Sequence, residues 1–400
     1  QCSRAGKICE ALAAGGAGEY VHQTSGLRLS PFFSGPKISW VLENVCGARE
    51  KAARGELLCG TMDCWSIYTL TGGAVHKTDC SNASRTMLMN LKQGCWDEGL
   101  CAMFGIPQSM LPEICDSDAL FGETDFGGLL DHPIPIHAAI GDSHAALFAY
   151  GCHERGSCMT GYGTGSCVMM NLGITPTLSQ NGLSTSVAWR SMGETHYLFD
   201  GVVNYSGAVI TWLCSELGLA KSPAETAELA LRAHPADQTY LVPAFTGLGA
   251  PHWSNRANAI FCGMTRLTSR AELVRAALEC IAYQISDILL AMSQDAGIVP
   301  DAMRVSGGPT KNCYLMQFQS DILGYPVLIP ENEEMTCLGA AYLAGQALGV
   351  YDNAFIANGP PSHAVYQPAM SEEVRREKLT GWQQAVCLAL GTETRSGNED

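Results

Sequence analysis

The chain is predicted to be an α/β protein of two domains. Three observations point there. Its 400 residues are enough for two domains. Segments of strand character alternate with segments of helical period. Its 43 glycines suit tight turns and close backbone approaches. Apolar residues make up 46% of the chain, so a sizeable core can be buried. No short-period repeat or low-complexity linker interrupts the pattern.

The elements follow in order. Residues 41–56 have helical spacing, with Gly55 near the end. Residues 134–140 form a short apolar run that enters Gly141-Asp142, and 143–150 then read as a helix ending at Gly151. A domain boundary falls there, giving a first domain at 1–150, a second at 151–350 and a tail with a helix at 351–400. Residues 157–171 read as a β-hairpin with its tip at Gly161-Tyr162-Gly163-Thr164-Gly165. Ser269-Arg270-Ala271-Glu272 has the form of a capping box. Leu273, Ala277, Ile281, Ile285, Ile288 and Met292 give the following helix one apolar face, and Gly297 is its stop. Then come a strand at 303–305, Gly307-Gly308, a helix at 312–323, a strand at 325–329 and a small-residue helix at 337–347. That succession is a nucleotide-fold unit.

Composition narrows the function. The formal net charge of −15 argues against a nucleic-acid partner or an anionic membrane, since no basic stripe offsets it. The 18 cysteines scatter from Cys2 to Cys387 without a CxxC pair, so free thiols in a reducing cytoplasm are the plain reading. No apolar run reaches the length of a membrane span, and no signal peptide is visible.

Three places could carry chemistry, each with a plainer alternative. Asp142, between a strand and a helix, can accept a proton from an attacking hydroxyl, or can simply cap the helix. Gly163-Thr164-Gly165 can offer N–H groups and a hydroxyl to a phosphate, or can be an ordinary hairpin tip. Gly307-Gly308 with Asn312 can approach an adenosine, or can be a tight turn with Asn312 as cap. His132, His137 and His144 lack ligand spacing and read as surface or core residues, so no metal site is assigned. Trp96-Asp97 and Trp253 read as packing anchors.

Longer motifs decide between these. The string Phe32-Phe33-Ser34-Gly35-Pro36-Lys37-Ile38-Ser39-Trp40 and residues 259–279, with Gly263 and Ala276-Ala277-Leu278-Glu279, resemble the two signatures of the FGGY family of carbohydrate kinases. Gly60-Thr61-Met62-Asp63, Thr78-Asp79, Asn82-Ala83-Ser84-Arg85-Thr86 and residues 242–251 resemble the branch that phosphorylates glycerol. The resemblance implies two ribonuclease H-like domains of the actin/hexokinase type flanking a cleft. It implies ATP-dependent phosphorylation of glycerol to glycerol 3-phosphate, with ATP and Mg²⁺ as cofactors and a dimeric or tetrameric assembly. Asp142 matches the family's general base, and Phe32, Asp142 and Ser143 fall on the acceptor side. Gly163, Thr164, Gly165, Gly207, Thr211, Gly308 and Asn312 fall on the nucleotide side.

The match has departures. The family's opening segment, with its first phosphate loop, a metal-associated Asp and an Arg-Glu pair for the polyol, has no counterpart. The first domain is therefore expected to be truncated, and a chain without those groups nearly inactive. A partial sequence of an ordinary enzyme and a non-catalytic nucleotide-binding protein are the two explanations. Phe32 stands for a tyrosine, whose lost hydroxyl costs about 1 kcal/mol. Ser143 stands for a glutamine and is followed by His144. Both changes keep ribulose, xylulose or erythritol open as alternative acceptors. Thr211 replaces a glutamine and Ser306 an Asp on the nucleotide side. Gly127-Gly128-Leu129-Leu130 lacks the basic residues that bind fructose 1,6-bisphosphate in some relatives, so no inhibition by that sugar is expected.

Overall fold

The strand-forming residues of the second half build one seven-stranded sheet. In the computed structural model, which describes residues 2–391, its strands are Cys158–Tyr162 (β1), Ser166–Gly173 (β2), Ser184–Ser191 (β3), Glu194–Val203 (β4), Met303–Ser306 (β5), Val327–Pro330 (β6) and Ser362–Tyr366 (β7). Residue 1 and the 392–400 end of the expected tail lie outside the described residues. The strands lie in the order β7-β6-β5-β1-β2-β4-β3. β5 runs parallel to β1 and β6, and the other neighbours pair antiparallel.

Strands β1 to β4 are buried on both faces over most of their length, which is why their sequences run apolar on both phases of the alternation. The pleat sends neighbours to opposite sides. Cys158, Val168, Val187 and Phe199 join the core under the long helix Arg270–Ala296. Met159, Met169, Ala188 and Leu198 join the core under the helices Asp142–Ala149 and Met335–Ala347. The second half is thus a helix–sheet–helix sandwich.

The long helix carries both halves of the expected capping box and stops at Gly297, at φ 66°. Its apolar stripe is broader than the sequence suggested: every residue from Val274 to Tyr283 is buried. The reason is a further layer, since the helices Pro223–Arg232, Cys313–Leu323 and Glu372–Leu390 cover the side away from the sheet.

Two expected elements differ. The helix at 41–56 is really two, Ser34–Asn44 and Ala48–Ala53, because Gly47 takes φ 75° between them. The run at 134–140 is a strand only over Ile134–His137. It pairs antiparallel with Leu120–Thr124, half exposed, and ends where Ala138 turns to φ 77°. Asp142 therefore does not sit beyond a strand of the central sheet.

Among the described residues, no sheet of the first half exceeds two strands. That half has its own small core, including Val21, Leu27, Phe33, Met87, Leu88 and Phe104. It docks on the free edge of β3. Thr185 N–H donates to Gly26 O at 2.9 Å, Val187 N–H to Ser84 Oγ at 3.2 Å and Arg190 N–H to Ser117 Oγ at 3.2 Å. These bonds occupy donors that an open edge would otherwise present to other chains. Trp96 donates its indole N–H to Pro112 O at 2.7 Å, and Asp97 caps the helix Glu98–Met103 through Leu100 N–H. Trp253 is 46% exposed, with its N–H on Gly182 O.

Candidate active site

The helix Asp142–Ala149 starts where three of four consecutive residues are tied down. Gly141 N–H donates to Ser81 Oγ at 2.9 Å. The Ser143 side chain lies against the Cys167 thiol on β2. The buried His144 ring bonds Ala188 O on β3 through Nδ1 at 3.0 Å. Burial, and next the charge of Arg85, lower the His144 pKa from 6.5 to about 4, so this imidazole is neutral at pH 7. Asp142 alone in the run keeps its carboxylate exposed, and among the described residues its hydrogen-bond partner is the adjacent Ser143 N–H at 2.6 Å. It does not cap the helix; Gly141 holds the N-cap position, and no side chain caps that end.

Cys167 also bonds Asp200 Oδ1, at 3.1 Å. Asp200 holds Arg85 at 2.6 Å, and Arg85 reaches Ser186 Oγ at 2.7 Å. The guanidinium lies 5.2 Å from the Phe33 ring centre, and Phe33 meets Phe32 edge-on at 5.3 Å. Contacts thus run without a gap from Phe32, 55% exposed, to Ser143 beside Asp142. Sequence reading missed Asp200. Its signal was a single carboxylate inside the apolar strand Glu194–Val203.

The second cluster lies at the hairpin between β1 and β2. Gly163 N–H closes the tip on Gly165 O at 2.7 Å. The tip carbonyls then receive the start of the helix Gly207–Ser215: Gly163 O accepts from Gly207 N–H at 2.9 Å, and Thr164 O from Ser206 and Ala208 N–H at 2.9 and 3.1 Å. Among the described residues, the Thr164 hydroxyl and the Thr164 and Gly165 N–H groups have no protein partner. Such converging donors suit an anion.

Beside the tip lies a cavity of about 590 Å³ lined by Gly163, Thr164, Gly207, Thr211, Trp212 and Gly308, among others. Five residues chosen from the sequence thus share one wall. A Cβ on Gly207 would stand 2.6 Å from Gly163 O, and one on Gly307 would run into Tyr162 O, so both approaches require glycine. Thr211 spends its hydroxyl on Gly207 O at 3.2 Å. Trp212, missed in the sequence, supplies a flat apolar wall of the kind a purine ring stacks on. Gly165 lies off the cavity wall, packed against Val203 O. Asn312 also lies off it: its Oδ1 caps the helix Cys313–Leu323 through Leu315 N–H at 3.0 Å, and its Nδ2 bonds Thr226 at 2.9 Å. Among the described residues no group of three or more His, Cys, Asp or Glu could hold a metal ion.

With this geometry in hand, comparison with known proteins is specific. The sequence profile of the FGGY family of carbohydrate kinases, N-terminal domain, matches residues 1–149, and that of the C-terminal domain matches residues 158–348. The glycerol kinase of Carboxydothermus hydrogenoformans is 48% identical over 391 residues, covering 97% of this chain and 78% of the relative. That of Alkaliphilus oremlandii is 45% identical over 394 residues, covering 98% and 78%. The crystal structure of Plasmodium falciparum glycerol kinase with ADP superposes with a TM-score of 0.90 at 32% identity, covering 97% of this chain and 78% of that one.

Proposed function

The chain belongs to the FGGY family of carbohydrate kinases, and on that premise we propose that it phosphorylates glycerol to glycerol 3-phosphate with ATP, using Asp142 as general base. The observation that supports the base assignment is the anchoring pattern at 141–144. Gly141 and His144 are bonded to the scaffold, Ser143 lies against Cys167, and Asp142 is left with a free carboxylate edge. Ser143 lies against Cys167, two residues beyond Gly165 on the same hairpin.

In the reaction, Asp142 takes the proton of the acceptor hydroxyl as its oxygen bonds to the γ-phosphorus. The bond to the β–γ bridging oxygen breaks, ADP leaves, and the proton later passes from Asp142 to solvent. Thr164, with the N–H groups of Thr164 and Gly165, is proposed to hold phosphate oxygens, and the wall from Gly207 to Trp212 with Gly308 to hold the nucleoside. Phe32 offers the acceptor's carbon chain an apolar face. Mg²⁺ is proposed to arrive with ATP, since among the described residues no group of three or more His, Cys, Asp or Glu could cage it. Eighteen free thiols fit a reducing cytoplasmic setting. No helix among the described residues is long and apolar enough to cross a membrane.

The test is ADP release by the full-length enzyme in the presence of glycerol. Asp142→Asn should lower kcat by about a thousandfold or more while ATP still binds. Full turnover in that variant would remove the base assignment. A ketose turned over better than glycerol would change the acceptor and leave the reaction type standing.

A further inference from the structure

Asp79 ends the short strand Lys77–Asp79 and is wholly buried, yet no step above uses it. Its carboxylate receives five donors. Oδ1 takes Ser81 Oγ at 2.9 Å, Asn82 N at 2.9 Å and Asn82 Nδ2 at 2.8 Å. Oδ2 takes Ser81 N at 2.9 Å and Ser117 Oγ at 2.7 Å. Burial pushes this carboxyl above its ordinary value, and the donors oppose that. The N–H donors are those of a capped turn, Cys80–Ala83. The two hydroxyls do something more.

A serine hydroxyl has one proton and two lone pairs. Ser81 and Ser117 each spend the proton on Asp79, so each turns lone pairs outward. Those lone pairs meet backbone N–H groups of two other elements. Ser81 Oγ accepts from Gly141 N–H at 2.9 Å, and Ser117 Oγ accepts from Arg190 N–H at 3.2 Å. Gly141 immediately precedes Asp142. Arg190 lies on β3, the strand on which the first half docks.

We propose that Asp79 is a positioning residue for phosphoryl transfer: it orients Ser81 to grip the Gly141–Asp142 backbone, while its bond to Ser117 serves only to dock the first half on β3. The proposal rests on Asp142 being the base. Without the Asp79 carboxylate either hydroxyl is free to rotate, and a rotated Ser81 would point its proton at Gly141 N–H instead of accepting from it. A base must stay within hydrogen-bond reach of the proton it removes, and a misplacement of about 1 Å can cost on the order of 100-fold in rate.

The experiment compares Ser81→Ala with Ser117→Ala in the full-length enzyme, reading kcat, KM for ATP and melting temperature. Ser81→Ala is expected to lower kcat by about 10- to 100-fold, with KM for ATP within about twofold and melting close to the parent. Ser117→Ala keeps the backbone bond from Ser117 N–H to Arg190 O at 2.6 Å, so kcat should stay within about threefold. A Ser81→Ala enzyme with parental kcat overturns the proposal. So does an equal kcat loss in both variants, which would mean general loosening. Asp142→Asn is measured alongside. If it turns over normally, the base assignment has failed; if it is inactive while Ser81→Ala is fully active, only the positioning role has failed.

Discussion

At residue scale the proposed acceptor side contains one buried ion pair, Arg85–Asp200. The Asp200 side chain is 3% exposed and that of Arg85 22%, with the guanidinium also packed near the Phe33 ring. A buried pair contributes little over an apolar pair of the same shape, but removing one partner strands the other. Arg85→Met should therefore cost about 3 kcal/mol of stability. Arg85→Met with Asp200→Asn should recover most of it, because a neutral amide no longer needs the cation. Urea unfolding of the parent and the two variants checks this, and a double variant no better than the single one would mean that packing dominates. The residue scale also separates what was legible from what was not. Asp142 could be picked out because the long family motifs around it matched; its position between strand and helix alone fitted a helix cap as well. The Arg85–Asp200 pair could not, because 115 residues separate the partners and nothing in either segment names the other. Asn312 shows a third case. Cap and nucleotide contact were both readable from its position before a helix, and its side chain is occupied by the cap.

At the scale of elements, the proposed nucleotide side is one hairpin tip pressed against one helix start. The contact is backbone to backbone, so a side chain on Gly207 has nowhere to go. Gly207→Ala should push the helix Gly207–Ser215 off the tip and raise KM for ATP by about tenfold or more. Because the chain around Asp142 is held independently, Gly141 by Ser81 and His144 by Ala188 O, kcat at saturating ATP should fall much less. A variant with unchanged KM and reduced kcat would separate this helix from nucleotide binding. The hairpin was readable because glycine at its tip has a local cause, the tight reversal of the chain. The same holds for the capping box at Ser269. The run at 134–140 misled because a short apolar stretch looks alike whether it is a buried central strand or an edge partner. Only the pairing with Leu120–Thr124 decides. The break at Gly47 was equally hidden, since helical spacing resumes directly after it.

At the scale of the whole molecule, acid should weaken the fold before its surface carboxylates titrate. Burial lowers both His144 and His153 from 6.5 to about 4, and each keeps a bond from one ring nitrogen to a backbone carbonyl, Ala188 O or Phe148 O. For a histidine whose folded pKa is depressed, the unfolded chain binds the extra proton. Stability is then complete above about pH 6.5 and is lost as pH falls toward 4. Each group contributes a slope of about 1.4 kcal/mol per pH unit inside that window, so the two together approach about 3. A counter-effect exists, because acid reduces the net charge of −15 and relieves repulsion. That relief is spread over a large surface and screened beyond about 8 Å at physiological salt, whereas the imidazoles sit in the packing that joins the base helix to the sheet. The local term should win. Melting curves in about 0.15 M salt should show a midpoint that drops steadily from pH 6.5 to 4. His153→Phe, which keeps a ring against Phe148 and Trp189, should remove about half of that slope. A flat or rising midpoint across the window would mean that His144 and His153 are not held neutral in the native protein, and the anchoring of the base helix through Ala188 would need another donor.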